Sequence, residues 1–200
     1  MSAGARDRNQ VALTFHVSGE REQAVRLLDL LHAHGTTITA FVVGSWLDAN
    51  TDMAARFIDR GHELANHTYT HPTFPSLTRE AMTNEVASCR DSLVRLAGTG
   101  GRFFRPSGTD NGTDTPGTTV LDVARAAGYS TVVGFDVDPA DYQDPGAKVI
   151  AQRTIDAVQP GSIVSLHFGH TGTIDALPVI FSALDARGLQ MVDVRTLLTA

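Results

Sequence analysis

Short apolar runs alternate with amphipathic segments about seven times along the 200-residue chain, with no repeat, linker or low-complexity stretch between them. That alternation implies a parallel sheet covered by helices, either doubly wound or closed as a barrel. Val11 to Val17 predicts a buried strand ending at His16, because Val11, Leu13, Phe15 and Val17 alternate with Ala12, Thr14 and His16. Further strands are expected at Ile38–Val43, Glu63–Asn66, Arg102–Arg105, Ser130–Phe135, Ser162–His167 and Leu189–Val194. Helical periods fall between them. They run over Arg21–His34, over Ser45–Arg60 with a break at Asn50-Thr51, over Arg79–Ala97 behind a Thr78 cap, and over Thr118–Ala127, Ala147–Val158 and Ile174–Arg187.

Parallel strands buried on both faces should be apolar throughout. Here the polar exceptions gather at carboxyl ends: His16, then His67 with His71, then Arg105, then Asp136 with Asp138 and Asp141, then His167 with His170. In parallel α/β folds that edge is where active sites are built. Five strands ending in His, Arg or Asp are hard to explain as chance. Each residue also has a plainer reading. His67 and His71, four apart in a Thr- and Pro-containing turn, are either metal ligands or loop histidines bonded to backbone. His16 is either functional or a satisfied core histidine, and Arg105 either serves a site or pairs with an aspartate of the 136–141 loop. Aspartates in that loop are common for turn reasons. His170, ahead of Thr-Gly-Thr, reads as a loop residue, Phe103, Phe104 and Phe135 as core, and Trp46 as either.

Charge and cysteine content exclude several classes. A net charge of −6 argues against nucleic acid or an anionic membrane as partner. No apolar run approaches the ~20 residues of a membrane span. Cys89 is the single cysteine, which leaves no internal disulfide and no cysteine-based metal site. The length suits one domain over residues 11–200 behind a tail at 1–10 that lacks the apolar core of a signal peptide.

The ordered set Thr14-Phe15, His67-Thr68-Tyr69-Thr70-His71, Arg105-Pro106-Ser107-Gly108, Asp138-Pro139-Ala140-Asp141-Tyr142 and Leu166-His167-Phe168 resembles the polysaccharide deacetylases of the NodB-homology type, carbohydrate esterase family 4. The resemblance covers about Val11 to Leu198. It implies a distorted (β/α) barrel of about seven parallel strands. It also implies a divalent metal, Zn²⁺ by first choice, and removal of acetyl groups from a glycan such as chitin, peptidoglycan or xylan. By position, His67 and His71 would be metal ligands and His167 the general acid. Asp141 would pair with His167, and Arg105 would orient the group at position 16. Tyr142 would stand beside the substrate, where the family has Trp, and Leu166 would line the acetyl pocket. Backbone N–H groups after Pro106, at Ser107 and beyond, would stabilise the oxyanion. The family acts mostly on cell walls, which implies an extracellular location, with the cytoplasm as the alternative, and a monomer is expected.

The first motif departs from the family. Where Thr-Phe-Asp-Asp-Gly is usual, the chain has Thr14-Phe15-His16-Val17-Ser18-Gly19. His16 replaces the usual base and Val17 the third metal ligand. Three readings stay open. His16 is a third ligand, with the base supplied by Glu20 or an aspartate of the 136–141 loop. Alternatively, His16 is the base, with Glu20, Asp110 or Asp138 completing the metal site. In the third, metal and catalysis are lost and a glycan-binding cleft remains.

Overall fold

The computed structural model describes residues 1–109 and 116–199, so Asp110 lies outside the described residues. In chain order the elements are β1 (Gln10–Val17), α1 (Arg21–His34), β2 (Thr39–Val42), α2 (Gly44–Ala49), α3 (Asp52–Asp59), β3 (Glu63–Asn66), α4 (Arg79–Ala97), α5 (Thr118–Ala126), α6 (Ala147–Ala157), β4 (Ile163–His167), α7 (Thr171–Ala186), β5 (Gln190–Val192) and α8 (Val194–Leu198). Short 3₁₀ turns cover Phe74–Ser76 and Asp141–Gln143. The α/β class with parallel strands is as expected. The strand count is lower, at five among the described residues. Two expected strands shrink to single parallel bridges, from Phe104 to Asn66 and from Phe104 to Val132. Gly101, at φ 76°, turns the chain just before Phe104. Pro106 has no N–H to give just after it, so little more than one residue can pair.

The described residues form two compact units. One comprises Met1 and residues 40–134. In it β2 and β3 are neighbours, and α4 packs against α2, α3, α5 and β3. Thr78 caps α4 by accepting from the Ala81 N–H at 3.2 Å, and Gly98 ends it in the left-handed region at φ 73°. Phe74, Met82, Val86, Phe104, Val123 and Tyr129 are buried together as a core. Each such side chain contributes roughly 1.5–3 kcal/mol on leaving water.

The other unit comprises residues 2–39 and 135–199. Here β1 runs parallel to β4 on one side and to β5 on the other. Every residue from Val11 to Val17 is buried, as a strand covered on both faces should be. Helix α7 packs on α6 and α1, and α8 packs on β1. The N-terminal residues are tied down in this unit. Ala3 bridges to Ser162, and Arg6 pairs with Asp136 at 2.7 Å.

Candidate functional site

The β1–β4 register sets His16 directly opposite His167, with Phe15 opposite Leu166. Alternation sends His16 and His167 to one face and Phe15 and Leu166 to the other. Leu166 is fully buried on that other face. His16 Nδ1 lies 2.9 Å from His167 Nε2. On its far side, His167 Nδ1 lies 2.7 Å from Asp141 Oδ1. Asp141 is fully buried. Its Oδ2 accepts from the His167 backbone N–H at 2.8 Å and from the Thr173 hydroxyl at 2.7 Å. A carboxylate so held makes Nδ1 of His167 the donor toward it. The remaining proton is shared between Nε2 of His167 and Nδ1 of His16. Asp141, His167 and His16 thus form one hydrogen-bonded line, in which a proton gained at either end is felt at the other.

The turns that follow these strands hold the line in place. Gly19 and Gly169 both have positive φ, 98° and 93°. A Cβ on Gly19 would sit 3.1 Å from the Gly169 Cα, so a side chain there would force the two turns apart. Asp141 is presented by a one-turn 3₁₀ helix flanked by two left-handed non-glycine residues, Ala140 at φ 54° and Asp144 at φ 51°. Ala140 has no polar side chain to ease that conformation, which costs of order 1 kcal/mol. The rings of Tyr142, His16 and His170 all face His167, at 5.3, 4.5 and 6.2 Å between centroids. Tyr142 is 48% exposed, an aromatic face open to a ligand.

The other aspartates of this loop have structural duties. Asp136 binds Arg6, the Ser162 hydroxyl and the Ile163 N–H. Asp138 accepts from the Ala140 N–H at 2.8 Å within its own turn. Glu20 is exposed and precedes α1.

The His67–His71 turn belongs to the unit of residues 40–134. His67 is buried, and its Nδ1 lies 2.9 Å from the Arg105 carbonyl oxygen. That contact makes Nδ1 the donor and leaves a lone pair on Nε2, an orientation that a metal-binding imidazole commonly has. The His71 ring is 5.0 Å from the His67 ring. Thr68 and His71 both take positive φ, 68° and 60°. For β-branched Thr68 this is a strained conformation, maintained by its surroundings. Its N–H donates to Asn66 Oδ1, and its hydroxyl donates to Ser107, whose hydroxyl donates to the Pro72 carbonyl. Asn66 in turn donates to the Val86 carbonyl and the Tyr129 hydroxyl, and the latter donates to the Gly100 carbonyl. Burial pushes the Tyr129 phenol well above its ordinary range, so it stays a donor. Glu85 of α4 accepts from the Tyr69 and Thr70 N–H groups at 2.8 Å each and from the Thr70 hydroxyl at 2.7 Å. Pro106 and Ser107 are buried beside this turn.

Arg105 is buried to 1% exposure. Its Nε donates to the Val133 carbonyl at 3.1 Å and its Nη2 to the Gly134 carbonyl at 2.9 Å, while its guanidinium carbon lies 3.9 Å above the Phe41 ring. Carbonyl dipoles and an aromatic face are the partners a buried guanidinium needs.

A catalytic zinc takes three protein ligands. The His67–His71 pair offers two imidazoles, and Val17 has no donor atom to add. Among the described residues no group of three or more His, Cys, Asp or Glu side chains is arranged to hold a metal. The residues at hand therefore do not complete a catalytic metal site. The sequence reading missed the His16–His167 contact, the Glu85 clamp and the Asn66–Tyr129 network. It also discounted His170, whose Nδ1 lies 2.8 Å from Asp144 Oδ1. One signal was available, since Asp141/Asp144 and His167/His170 share the same spacing of three.

No helix among the described residues is long and apolar enough to cross a membrane. Residues 3–132 match the family model described as polysaccharide deacetylase. A chitooligosaccharide deacetylase of Rhizobium leguminosarum bv. trifolii is 31% identical over 204 residues, covering 94% of this chain and 91% of its own. The solved structure of a peptidoglycan N-acetylglucosamine deacetylase superposes with a TM-score of 0.90 at 25% identity, over 100% of this chain and 92% of its own. A carbohydrate esterase family 4 pseudoenzyme from Bacillus anthracis superposes with the same TM-score, 0.90, at 25% identity, over 98% of this chain and 68% of its own. Both are of the NodB (β/α)-barrel type expected above. The chain belongs to the polysaccharide deacetylase family.

Proposed function

We propose that the protein is a hydrolase that removes acetyl groups from a glycan of the bacterial cell wall or a chitooligosaccharide, with His16 as its base. The observation that carries this reading is the hydrogen-bonded line of His16, His167 and Asp141. In the first step a water gives its proton to His16 while its oxygen attacks the acetyl carbon; when the intermediate collapses, the bond to the sugar nitrogen or oxygen breaks and the departing atom takes that proton back, so acetic acid leaves. His167 shares that proton through the 2.9 Å contact, and buried Asp141 stabilises the imidazolium that results. Tyr142 offers a stacking face for a sugar ring. His67 and His71 are the residues we assign to a divalent ion, Zn²⁺ for the preference of zinc for imidazole. A bound ion would supply Lewis-acid polarisation, but two ligands are an incomplete set, and the proton transfers above involve none.

The test is acetate release from N-acetylglucosamine oligomers and from peptidoglycan. Turnover in the wild type that is lost in His16→Ala, with folding intact, supports the reading. A second reading is a catalytically inactive glycan-binding protein. It is favoured by the engagement of His167 Nε2 by His16, which removes that nitrogen from a leaving group. That reading predicts oligosaccharide affinity with no acetate release from either substrate.

A further inference from the structure

The loop that buries Asp141 beside His167 also holds a short exposed strip in a fixed shape. At its start, Arg153 of α6 donates to the Pro139 carbonyl at 3.0 Å, and Asp138 accepts from the Ala140 N–H at 2.8 Å. Asp141 anchors its middle through the His167 N–H and the Thr173 hydroxyl. At its end, the Asp144 N–H donates to the Asp141 carbonyl at 3.0 Å, and Asp144 Oδ1 lies 2.8 Å from His170 Nδ1. A loop tied at both ends and in the middle has little freedom left to lose when a ligand settles on it. What it displays is Tyr142, an exposed ring, and the Asp144–His170 pair, whose side chains are 70% and 26% exposed. Both stand next to His167. The Tyr142 and His170 ring centroids are 5.3 and 6.2 Å from that of His167.

This strip has the chemistry of a sugar site. A pyranose ring presents an apolar face and a rim of hydroxyl donors. The phenol ring of Tyr142 offers a surface for the apolar face. The Asp144 carboxylate makes Nδ1 of His170 the donor between them, which leaves the neutral ring an acceptor at Nε2. Among the described residues, neither that Nε2 nor Asp144 Oδ2 takes a hydrogen bond. The pair therefore holds out two acceptors, a match for two sugar hydroxyls. We infer that Asp144 and His170, with Tyr142, form a subsite for the sugar residue adjoining the one that carries the acetyl group, and that they set the preference for an oligosaccharide over a single sugar. This rests on the glycan substrate proposed above, and it gives the pair no part in bond breaking.

Two variants test it. His170→Ala removes one acceptor. Asp144→Gly removes the carboxylate and keeps the left-handed backbone at φ 51°, where alanine would be strained. In each, KM for the N-acetylglucosamine tetramer is expected to rise about tenfold or more, with kcat within about threefold of wild type, as for binding lost equally from ground and transition state. The Kd of the same tetramer, read calorimetrically in a His16→Ala background so that it is not consumed, should weaken by the same factor. Unchanged KM and Kd in both variants, whether or not kcat falls, overturn the subsite and leave the hydrolase reading standing. Kd weakened in both, with no acetate released by the wild type, sustains the subsite and overturns the hydrolase reading. A wild-type protein that neither binds the tetramer nor releases acetate overturns both.

Discussion

His16 Nδ1 and His167 Nε2 lie 2.9 Å apart, bonded across the β1–β4 register. Because a single proton links them, the two imidazoles act as one unit. His16→Ala and His167→Ala are each expected to lower acetate release by about 10²- to 10⁴-fold. The double variant should be no worse than the poorer single one, since residues that act together are strongly non-additive. Steady-state rates on N-acetylglucosamine oligomers check this. Losses that multiply in the double variant would mean that the two rings work independently.

The His67–His71 pair yields a prediction that needs no turnover. The Nδ1 of His67 is held by the Arg105 carbonyl, which leaves its Nε2 as an acceptor, and His71 lies beside it. Zn²⁺ titrated calorimetrically into metal-free protein should bind, and His67→Ala and His71→Ala should each weaken binding tenfold or more. Affinity unchanged in both variants would place the ion on other residues.

Most helices were legible because their signals are local. Thr78 and Gly98 mark the two ends of α4, and Gly35 ends α1, as their spacing from the apolar stripe predicts. The strands around Phe104 and Val132 were over-read. Apolar composition shows that a segment is buried, but whether it pairs over one residue or five depends on neighbours distant in sequence. The candidate site divides in the same way. Strand-end polarity picked out His16, Arg105 and His167 without any family knowledge. The pairing of Asp141 with His167 follows from the family resemblance and not from spacing, because the two are 26 residues apart, and that of Asp144 with His170, across the same interval, has no such guide. The strand expected over Leu189–Val194 runs into the first residue of α8, since Val192 and Val194 alternate like a strand around the Asp193 cap.

Glu85 holds the strained turn that carries His71. Its carboxylate accepts two backbone N–H groups and one hydroxyl from Tyr69 and Thr70. Hydrogen bonds to a charged acceptor are the stronger kind, but Thr70 is exposed, and water replaces part of the loss. Glu85→Ala should cost about 2 kcal/mol. In a chain of this size that lowers the melting temperature by roughly 4–8 °C by circular dichroism. Glu85→Gln, which keeps one acceptor oxygen, should lose less. A melting temperature unchanged in Glu85→Ala would show that the turn holds without its clamp.

Cys89 is fully buried on α4, with its Sγ 3.4 Å from the Val42 carbonyl oxygen. Burial pushes its thiol from 9.0 up to about 12, because the thiolate would lose its hydration there. The native protein should therefore not react with Ellman's reagent at pH 8 over minutes, while the protein in guanidinium should react fully with one equivalent. The same shift has a consequence for stability. The unfolded thiol ionises near its ordinary pKa while the folded one stays protonated, so the unfolded state binds fewer protons above pH 9. The folded state is then progressively disfavoured as pH rises from about 9 toward 12, and the effect is absent below that window. Urea unfolding at pH 8 and pH 10 should show a larger loss of stability in the wild type than in Cys89→Ala, which has no thiol to ionise. Equal losses in the two proteins, or rapid native labelling at pH 8, would mean that the thiol is reached by water and that the contact between α4 and β2 opens in solution.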